Sequence, residues 1–598
     1  MPATYSSLLP LAAMEEPGVR QRKKIVPGSS DGHQTGSGAK PTRAFPKIYG
    51  LLLVVMLVLT LYQFPALVKS PLNQLLGTPE PTRLLPGIPT NYVPTFAADE
   101  AKRDAVVEAF KHAWHAYERD AMGDDEYHPI SHTGSNLTNA GGIGYTVADS
   151  IDTMIIMGLE DEYQRARTWV ADNLSFDRDG NFNTFEITIR IMGGLLTAYH
   201  LSGEDSLFLE KARELADRIL PTFETESGLP LSLVNLALRE GVPDRDNYGY
   251  VSTAEVATLQ LEFRYLAYLT DEDIYWDKVE NVMAILKAVA QPHGLATIFV
   301  DPKLGRYQTS PIRLGSRGDS YYEYLLKQYL QTNQTELVYR DMYDTAMSGI
   351  HDVLVKRGLS TKLLYIAELN PERTGQGSIG WRLVPKQDHL VCFLGGSLML
   401  GATTSGALVD HVSIPPRPDE LTGQGERDWL TGVELINTCM ATHDTQTGLA
   451  PEIAHFRIES DGIDNSVAPA DWYIKGARLG APAPFDARYI LRPETIESLF
   501  LAFRLTGDPK YRDYGWAIFQ AIEKHCRIPT GGYASVINVD QVPVEHEDKM
   551  ETFLLSETLK YLYLLFADSS VLPLNEYVFN TEAHPLPVFN PTILTGFS

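Results

Sequence analysis

The chain has 598 residues, 44% hydrophobic and 21% charged, a globular composition that excludes a fibrous or mostly disordered protein. Its formal net charge of −25 comes from 51 basic and 76 acidic residues. A surface so acidic repels phosphate backbones, so we expect no nucleic-acid partner. Three cysteines exclude a disulfide scaffold but leave room for one bridge.

An uncharged stretch near the amino terminus predicts a membrane anchor. Residues 48–68 match the ~20 residues that a helix needs to cross a bilayer. A cleaved signal peptide is the alternative, but its apolar core usually spans only ~7–15 residues. Residues 1–47 hold seven basic and three acidic side chains, which favours a cytosolic amino terminus.

This topology divides the chain into four parts. We expect a cytosolic tail (residues 1–47), a transmembrane signal-anchor helix (48–68), a proline-rich stem (69–98) and a lumenal domain (99–598). An irregular lead-in packed on the domain is the alternative to a stem. Three glycosylation sequons, at Asn136, Asn173 and Asn333, agree with a lumenal location.

Beyond residue 99 the apolar periodicity predicts helices in pairs joined by short turns, which makes neighbouring helices antiparallel. The clearest pairs cover residues 186–200 with 207–220, 255–269 with 275–290, and 494–505 with 511–525. About seven pairs fit either an open solenoid or a closed ring. Their irregular spacing favours the ring, because solenoids keep a fixed period. Several pairs are followed by glycine and a short apolar run, which predicts small strands or hairpins.

Charged residues recur where the first helix of a pair begins. Glu186 and Arg190 lie four apart on one helical face, an arrangement that a structural ion pair also explains. Asp319 stands at a helix start, where a simple N-cap is the alternative. Other polar residues follow the same pattern: Arg317, His389, Glu452, Arg492, Glu494, Glu497 and Glu557. Thr581 and Glu582 lie in a later stretch with no helical period. Carboxylates that converge in one pocket fit carbohydrate hydrolysis or the binding of a hard cation.

Other chemistries lack their motifs. The sequence has no G-x-S-x-G elbow, no Walker loop and no HExxH zinc motif, so we expect no nucleotide cofactor. Terpenoid cyclases are also helical rings, with paired-aspartate metal motifs on apolar pockets. The nearest candidate, Asp124-Asp125-Glu126, falls in a turn rich in glycine and aspartate, which disfavours that class.

Several runs, in order through residues 100–590, resemble the class I α1,2-mannosidases, glycoside hydrolase family forty-seven. They include Phe185-Glu186-Ile-Thr-Ile-Arg190, Gly318-Asp319-Ser-Tyr-Tyr, Arg492-Pro-Glu494-Thr-Ile-Glu497 and Phe579-Asn-Thr581-Glu582-Ala-His. The resemblance implies an all-α (αα)7 barrel. It also implies a Ca²⁺-dependent, inverting hydrolase that removes α1,2-linked mannose from high-mannose N-glycans.

The resemblance also implies residue roles. Glu186 is expected as a catalytic acid, Asp319 as a second acidic catalytic residue and Glu494 as the base, while Glu452 is acidic with an uncertain role. Thr581 is expected as the only direct protein ligand of Ca²⁺. The expected sugar-binding or supporting residues are Arg190, Arg317, His389, Arg492, Glu497, Phe553, Glu557 and Glu582. Cys392 and Cys439 match the family's disulfide, which leaves Cys526 free.

Two alternatives remain within this resemblance. A lectin-like quality-control member would recognise misfolded glycoproteins and deliver them for degradation, but every expected acid is present here. A Golgi-type member would trim to the five-mannose glycan. Members of the endoplasmic reticulum carry arginine two residues before the catalytic aspartate, as Arg317 stands here. We therefore expect a reticulum enzyme that removes one mannose from the nine-mannose glycan.

Overall fold

Helices joined by short turns are the main secondary structure of the described chain. The computed structural model describes residue 85 and residues 93–289, 292–375, 377–459, 470–477 and 481–597. The expected tail, membrane span and most of the stem lie outside these residues. Among the helices that are described, none has both the length and the apolar character required to span a bilayer.

The helices are numbered here along the chain. They are α1 (Glu100–Ala121), α2 (Tyr145–Met157), α3 (Glu160–Asn173), α4 (Thr184–Ile187), α5 (Gly193–Leu201), α6 (Ser206–Ile219), α7 (Thr253–Val256), α8 (Gln260–Thr270), α9 (Asp273–Ala288), α10 (Asp319–Gln331), α11 (Leu337–Val353), α12 (Phe393–Ala402), α13 (Gly423–Ala441), α14 (Glu494–Thr506), α15 (Pro509–His525) and α16 (Leu559–Phe566).

Seven of the described helices form a closed inner ring. Each of α2, α5, α8, α10, α12, α14 and α16 contacts the next, and the π-helical turn Leu554–Thr558 at the start of α16 returns to α2. Outside them, α3, α6, α9, α11, α13 and α15 each pack against the inner helix that precedes them, while α1 packs against α16. These contacts agree with the expected seven helix pairs and with closure rather than an open solenoid.

Short antiparallel strands connect the pairs, as the glycine-containing runs predicted. They are β1 (Glu126–His128), β2 (Thr133–Ser135), β3 (Asn181–Asn183), β4 (Leu233–Asn235), β5 (Glu240–Val242), β6 (Val251–Ser252), β7 (Phe299–Asp301), β8 (Arg306–Tyr307), β9 (Val355–Arg357), β10 (Leu364–Ile366), β11 (Glu368–Arg373), β12 (Ile379–Val384), β13 (Lys386–Asp388), β14 (Ile453–Phe456), β15 (Trp472–Tyr473), β16 (Ser535–Val536), β17 (His546–Glu547), β18 (Tyr577–Phe579) and β19 (Pro585–Pro587). They pair in two- and three-stranded sheets. Strands β3, β6 and β13 lead directly into helical segments of the inner ring, so these sheets lie at its amino-terminal end.

Two inner helices are less regular than the periodicity predicted. The helix expected over residues 186–200 contains a π-helical turn, Thr188–Met192, between α4 and α5. The helix expected over residues 255–269 is broken between α7 and α8. A π-helical turn adds one residue to the helical turn, and such turns are frequent at functional sites. Here it carries Arg190.

The hairpin of β18 and β19 enters the ring from its other end. Strand β18 contacts α10, and β19 contacts α5 and α8. Glycines at the start of α5 make room for it: a Cβ on Gly193 would lie 2.7 Å from Asn580 Nδ2, and one on Gly194 would lie 2.1 Å from the Ala148 carbonyl oxygen of α2. Larger side chains at these two positions would push the hairpin and the neighbouring helix away.

Candidate active site

A cavity of about 470 Å³ opens where the amino-terminal ends of the inner helices converge. Nine carboxyl side chains and three arginines line it within the described part of the chain. The lining contains most of the site residues expected from the sequence, namely Glu186, Arg190, Arg317, Asp319, Arg492, Glu494, Glu497, Phe553, Glu557, Thr581 and Glu582. Residues that lie up to about 400 positions apart in sequence therefore share one cavity.

Two expected site residues lie behind this lining. Glu452 accepts two hydrogen bonds from Arg492, at 2.7 and 3.1 Å, and so orients that guanidinium toward the cavity. His389 Nε2 lies 3.2 Å from the Thr495 hydroxyl and 3.8 Å from Glu494 Oε2. Burial holds the pKa of His389 well below its usual value, helped by the positive charge of Arg492, so the ring is neutral.

Two carboxyl groups of the cavity have pKa values near neutrality. Asp319 and Glu494 are the first residues of α10 and α14. Burial raises the pKa of each to about 7, although the charge of Arg492 partly opposes this at Glu494. Asp319 Oδ1 accepts from the Ser320 amide at 2.9 Å, and Gly318 is the N-cap of α10, so Asp319 is not the simple cap that its position allowed. Glu494 Oε2 is buried without a hydrogen-bond partner among the described residues.

Arg190 connects the other side of the cavity to its floor. Its Nε donates to Glu186 Oε2 at 2.9 Å, so the ion pair allowed by the spacing does form. Its Nη1 donates to the Thr552 hydroxyl at 3.0 Å and to Glu582. The network therefore extends beyond one helix face, and it ties α4 to the hairpin tip between β18 and β19.

An aromatic ring lies between two guanidinium groups in the same wall. The Phe553 ring centroid is 5.7 Å from the guanidinium carbon of Arg190 and 5.6 Å from that of Arg492. Phe553 is almost fully buried yet lines the cavity. It provides an apolar surface beside charged groups, which suits the C–H face of a sugar ring.

Thr581 forms the floor of the cavity at the tip of the hairpin. Its hydroxyl donates to Glu323 Oε2 at 2.8 Å, and its amide donates to the Tyr324 hydroxyl at 3.3 Å. Lys327 pairs with Glu323 and lies 3.6 Å from Glu497 Oε1. Burial raises the pKa of Glu497 to about 8 against the opposing charge of Lys327. The floor therefore holds more carboxyl groups than cations.

A fully buried charge network holds the hairpin tip from below, and we call Asp149, Asp152, Lys560 and His584 the hairpin clamp. Lys560 Nζ lies 2.7 Å from Asp152 Oδ2 and 2.8 Å from the Ala583 carbonyl oxygen. His584 lies 2.9 Å from Asp152 and 3.2 Å from Asp149. Every member has zero exposure.

Ionisation of the clamp is favoured despite its burial. Burial opposes the charge on Asp152, but Lys560 and His584 outweigh it and lower the pKa of Asp152. Burial likewise disfavours protonated His584, but Asp152 outweighs it and raises the pKa of His584. The clamp is therefore a balanced set of paired charges.

Arg317 lies in the cavity wall with a positive φ of 76°. Its guanidinium carbon is 5.1 Å from the Phe299 ring centroid, and its carbonyl oxygen accepts from the Ala254 amide at 3.0 Å. Among the described residues no carboxylate forms an ion pair with it within 4.0 Å. Arg317 therefore lines the cavity without forming an ion pair to any carboxylate of the described ranges.

The structure contains the expected disulfide between Cys392 and Cys439, with Cys526 free and buried. The bridge joins the 3-10 turn before α12 to the carboxyl end of α13. Of the three sequon residues, Asn173 and Asn333 are exposed. Asn136 is half-buried and its Nδ2 donates to Asp124 Oδ1 at 3.0 Å. Glycosylation at all three stays a prediction.

Sequence reasoning missed part of the lining. Glu323 falls one helical turn after Asp319, so the four-residue spacing could have identified it. Glu255 accepts from Asn183 Nδ2 at 3.0 Å across two neighbouring inner segments, and no local pattern indicates that contact. Asp244 and Asn247 lie in a loop between β5 and β6 that reads as an ordinary turn.

A helical ring around a cavity lined by carboxylates and arginines fits a glycoside hydrolase, a class that uses paired carboxyl groups. The sequence matches the Glycosyl hydrolase family 47 description over residues 109–588, and the chain belongs to that family. It is 43% identical over 501 residues to the mannosyl-oligosaccharide 1,2-alpha-mannosidase of Candida albicans, covering 82% of this chain and 84% of the relative.

Two further comparisons agree. The chain is 42% identical over 495 residues to the endoplasmic reticulum mannosyl-oligosaccharide 1,2-alpha-mannosidase of Schizosaccharomyces pombe, covering 81% of this chain and 89% of the relative. The solved alpha-1,2-mannosidase from Trichoderma reesei superposes with a TM-score of 0.69 at 28% identity, covering 82% of this chain and all of that one.

Proposed function

We propose that the protein is a Ca²⁺-dependent, inverting α1,2-mannosidase of the endoplasmic reticulum that converts the nine-mannose N-glycan to an eight-mannose form. The observation that carries this proposal is the pair Asp319 and Glu494, which face one cavity from inner helices separated by α12. Inversion needs a proton donor and a base separated by ~6.5–9.5 Å, with a water between the base and the sugar. Carboxyls on different helices meet that requirement more readily than neighbours on one helix.

Glu494 is the base in this proposal. Its Oε2 has no hydrogen-bond partner among the described residues, so it is free to accept a proton from the attacking water. Its pKa of about 7 suits proton transfer near neutral pH. Arg492 lies 3.8 Å away and Glu452 holds that arginine, so Glu452 acts on the base through Arg492.

Asp319 is the better candidate for the acid. A pKa of about 7 keeps a substantial fraction of this carboxyl protonated at neutral pH. Glu186 instead accepts from the Arg190 guanidinium and from the Tyr145 hydroxyl, at 2.9 and 3.2 Å, so its Oε2 is already engaged by two protein donors. A substrate whose leaving group needs no protonation, such as α-mannosyl fluoride, separates the two: it rescues the loss of the true proton donor only.

The floor has the donor chemistry for Ca²⁺. Oxygen atoms are the ligands this cation prefers, and Thr581 offers its hydroxyl and carbonyl oxygens, while Glu323, Glu497, Glu557 and Glu582 add carboxyl groups to the same cavity. Burial and the charge of Glu582 raise the pKa of Glu557 well above normal, as expected of an anionic cluster short of a cation. Bound Ca²⁺ would supply positive charge and orient sugar hydroxyls.

The described carboxylates do not form a cage of their own. No group of three or more His, Cys, Asp or Glu side chains in the described ranges is arranged to hold a metal ion. A Ca²⁺ ion at Thr581 would therefore take most of its ligands from water and substrate, which leaves it open to the sugar.

Arg317 supports selection of a single mannose. A guanidinium presents five donors in a rigid fork, and here it meets the substrate without a competing carboxylate. Donors left unpaired by the wrong branch disfavour that branch strongly. The reticulum location has support from relatives such as the one from S. pombe, whose name states it.

The test is a glycan profile after digestion with the full-length protein. We expect the nine-mannose glycan to lose one mannose, the product to have inverted anomeric configuration, and chelation to abolish activity until Ca²⁺ is restored. Arg317→Leu should broaden cleavage toward smaller glycans. Rapid trimming by the wild type to five mannoses would favour the Golgi role, and glycan binding without release would favour a lectin.

A further inference from the structure

A polar loop with an exposed tyrosine stands at the cavity rim. Residues 243–250, which we call the rim loop, connect β5 to β6. Asp244 and Asn247 line the cavity. The next residue, Tyr248, is 89% exposed and has a φ of 57°. A tyrosine in the left-handed region is uncommon, and an aromatic ring so exposed gains little from the fold itself.

Internal hydrogen bonds hold the rim loop in shape. Asp244 Oδ1 accepts from the Asp246 amide at 2.9 Å, and its other oxygen accepts from the Asn247 side chain. The Asp244 carbonyl oxygen accepts from the Gly249 amide at 2.7 Å, and the Asn247 carbonyl oxygen from the Tyr250 amide at 2.9 Å. The loop therefore presents Tyr248 from a preformed turn, which reduces the entropy lost on binding.

The rim loop and Arg317 belong to the same wall. The loop continues into β6 and α7, where the Ala254 amide donates to the Arg317 carbonyl oxygen at 3.0 Å. Ser252 and Glu255 line the cavity between them. This wall carries the carboxyl groups of Asp244 and Glu255 together with amide, hydroxyl and aromatic groups, and it is distinct from the floor around Thr581.

We propose that the rim loop is a second sugar-binding subsite, which holds an uncleaved mannose of the glycan while the terminal residue occupies the floor. Tyr248 would stack on the C–H face of that sugar, and Asp244 and Asn247 would accept and donate hydrogen bonds to its hydroxyls. Aromatic faces with a few fixed polar groups are typical of sites for neutral ligands of this kind. This inference rests on the proposed function and assigns the substrate's outer part to named residues.

Binding remote from the reacting bond has a recognisable consequence. It benefits only substrates long enough to reach the rim, and it contributes to kcat/KM through the glycan's remote contacts. An α1,2-linked mannose disaccharide does not extend beyond the floor and its neighbouring position. The ratio of kcat/KM for the nine-mannose glycan to kcat/KM for the disaccharide therefore separates the effect of the rim loop on glycan binding from any effect on the chemical step.

The experiment compares Tyr248→Ala, Tyr248→Phe and wild type in the full chain. We expect the alanine variant to lower that ratio about 3- to 10-fold, the loss expected for one aromatic contact, and the phenylalanine variant to restore it. Tyr268→Ala is the matched control, because Tyr268 is also exposed but lies at the carboxyl end of α8, away from the rim. An unchanged ratio, or equal loss on both substrates, would overturn the subsite.

A binding measurement separates this inference from the proposed function. In a Glu494→Gln background, calorimetric titration with the nine-mannose glycan should show weaker binding when Tyr248→Ala is added. If wild type fails to cleave either substrate, the proposed function is wrong, yet weakened glycan binding would still support the subsite. Equal glycan affinity of Glu494→Gln with and without Tyr248→Ala would overturn the subsite, whatever the activity of the wild type.

Discussion

The hairpin clamp and the cavity above it use the same residue types in opposite ways. In the clamp, Asp149 and Asp152 meet Lys560 and His584, and every charge is paired with zero exposure. In the cavity, nine carboxyls face three arginines. The pKa of Asp152 in the balanced clamp is lowered, whereas the pKa of Glu494 in the acidic cavity is raised. Equal numbers of opposite charges therefore characterise the clamp, which stabilises the fold. An excess of carboxyl groups characterises the cavity, where we propose that the chemistry takes place.

The largest effect is expected from a change in the unbalanced region. Glu494→Gln keeps the shape of the side chain but removes the proton acceptor, and a well-placed base contributes ~10²–10⁴-fold to turnover. The variant should be at least as stable as wild type when Ca²⁺ is chelated, because one crowded carboxyl is gone. Turnover and thermal unfolding measure the two effects.

Glu545→Gln is the control for this change, since Glu545 is exposed and does not line the cavity. It should alter neither turnover nor melting temperature. Near-normal turnover in Glu494→Gln would remove Glu494 from the role of base.

The clamp should respond in the opposite sense. Lys560→Met leaves the two clamp aspartates with only His584 as a cation, and removing one partner of a buried pair costs ~3–5 kcal/mol of unfolding free energy. Adding Asp152→Asn removes the stranded charge and should recover part of the loss. Denaturant or thermal unfolding of the chelated protein measures both the loss of stability and its recovery.

The matched control is Lys303→Met. Lys303 pairs with Glu226 at 3.2 Å, but both side chains are about two-thirds exposed. An exposed pair contributes only ~0–1 kcal/mol. Equal destabilisation by the two lysine variants would contradict the contrast between clamp and surface.

The smallest expected effect is a pH trend in stability. Asp319 and Glu494 have folded-state pKa values raised to about 7, so between about pH 4.5 and 7 the native state binds more protons than the unfolded state. Stability of the chelated protein should therefore fall as pH rises through this window, with a slope of at most about 1.4 kcal/mol per pH unit for each carboxyl.

The hairpin clamp also makes stability depend on pH, through Asp152 and His584. The contribution of Asp152 is present above its unfolded pKa of ~3.9 and is lost as pH falls. That of His584 is complete below ~6.5 and is lost as pH rises through its raised folded pKa. Glu494→Gln should flatten the slope between about pH 4.5 and 7, and an unchanged slope there would contradict the assignment of the raised pKa.

The sequence predicted the helix pairs well because apolar periodicity is a local signal. The second helices of the clearest pairs begin within two residues of expectation, at Ser206, Asp273 and Pro509. The carboxylates at inner-helix starts were also found, since Asp319 and Glu494 occupy the first helical positions. Family roles such as that of Thr581 depended on the resemblance, because an isolated threonine carries no signal of its own.

Local sequence patterns do not predict contacts between segments that are distant in the chain. His584 meets Asp149 across 435 residues and Lys560 meets Asp152 across 408, so no spacing rule connects them. Local sequence patterns also do not predict side-chain direction. Glu452 and His389 were expected with the site residues, but each lies behind the residues that line the cavity. The rim loop reads as a plain turn until its place beside the cavity is known.

The hairpin of β18 and β19 makes activity depend on a segment that follows every helix of the ring in the sequence. The floor residue Thr581 and the clamp residue His584 leave the ribosome after every helix of the ring has been made. A nascent chain that has folded as far as α16 would hold Asp319 and Glu494 but have no floor between them. The enzyme would therefore gain function in a single late step, and an unfinished chain could not trim glycans on its neighbours.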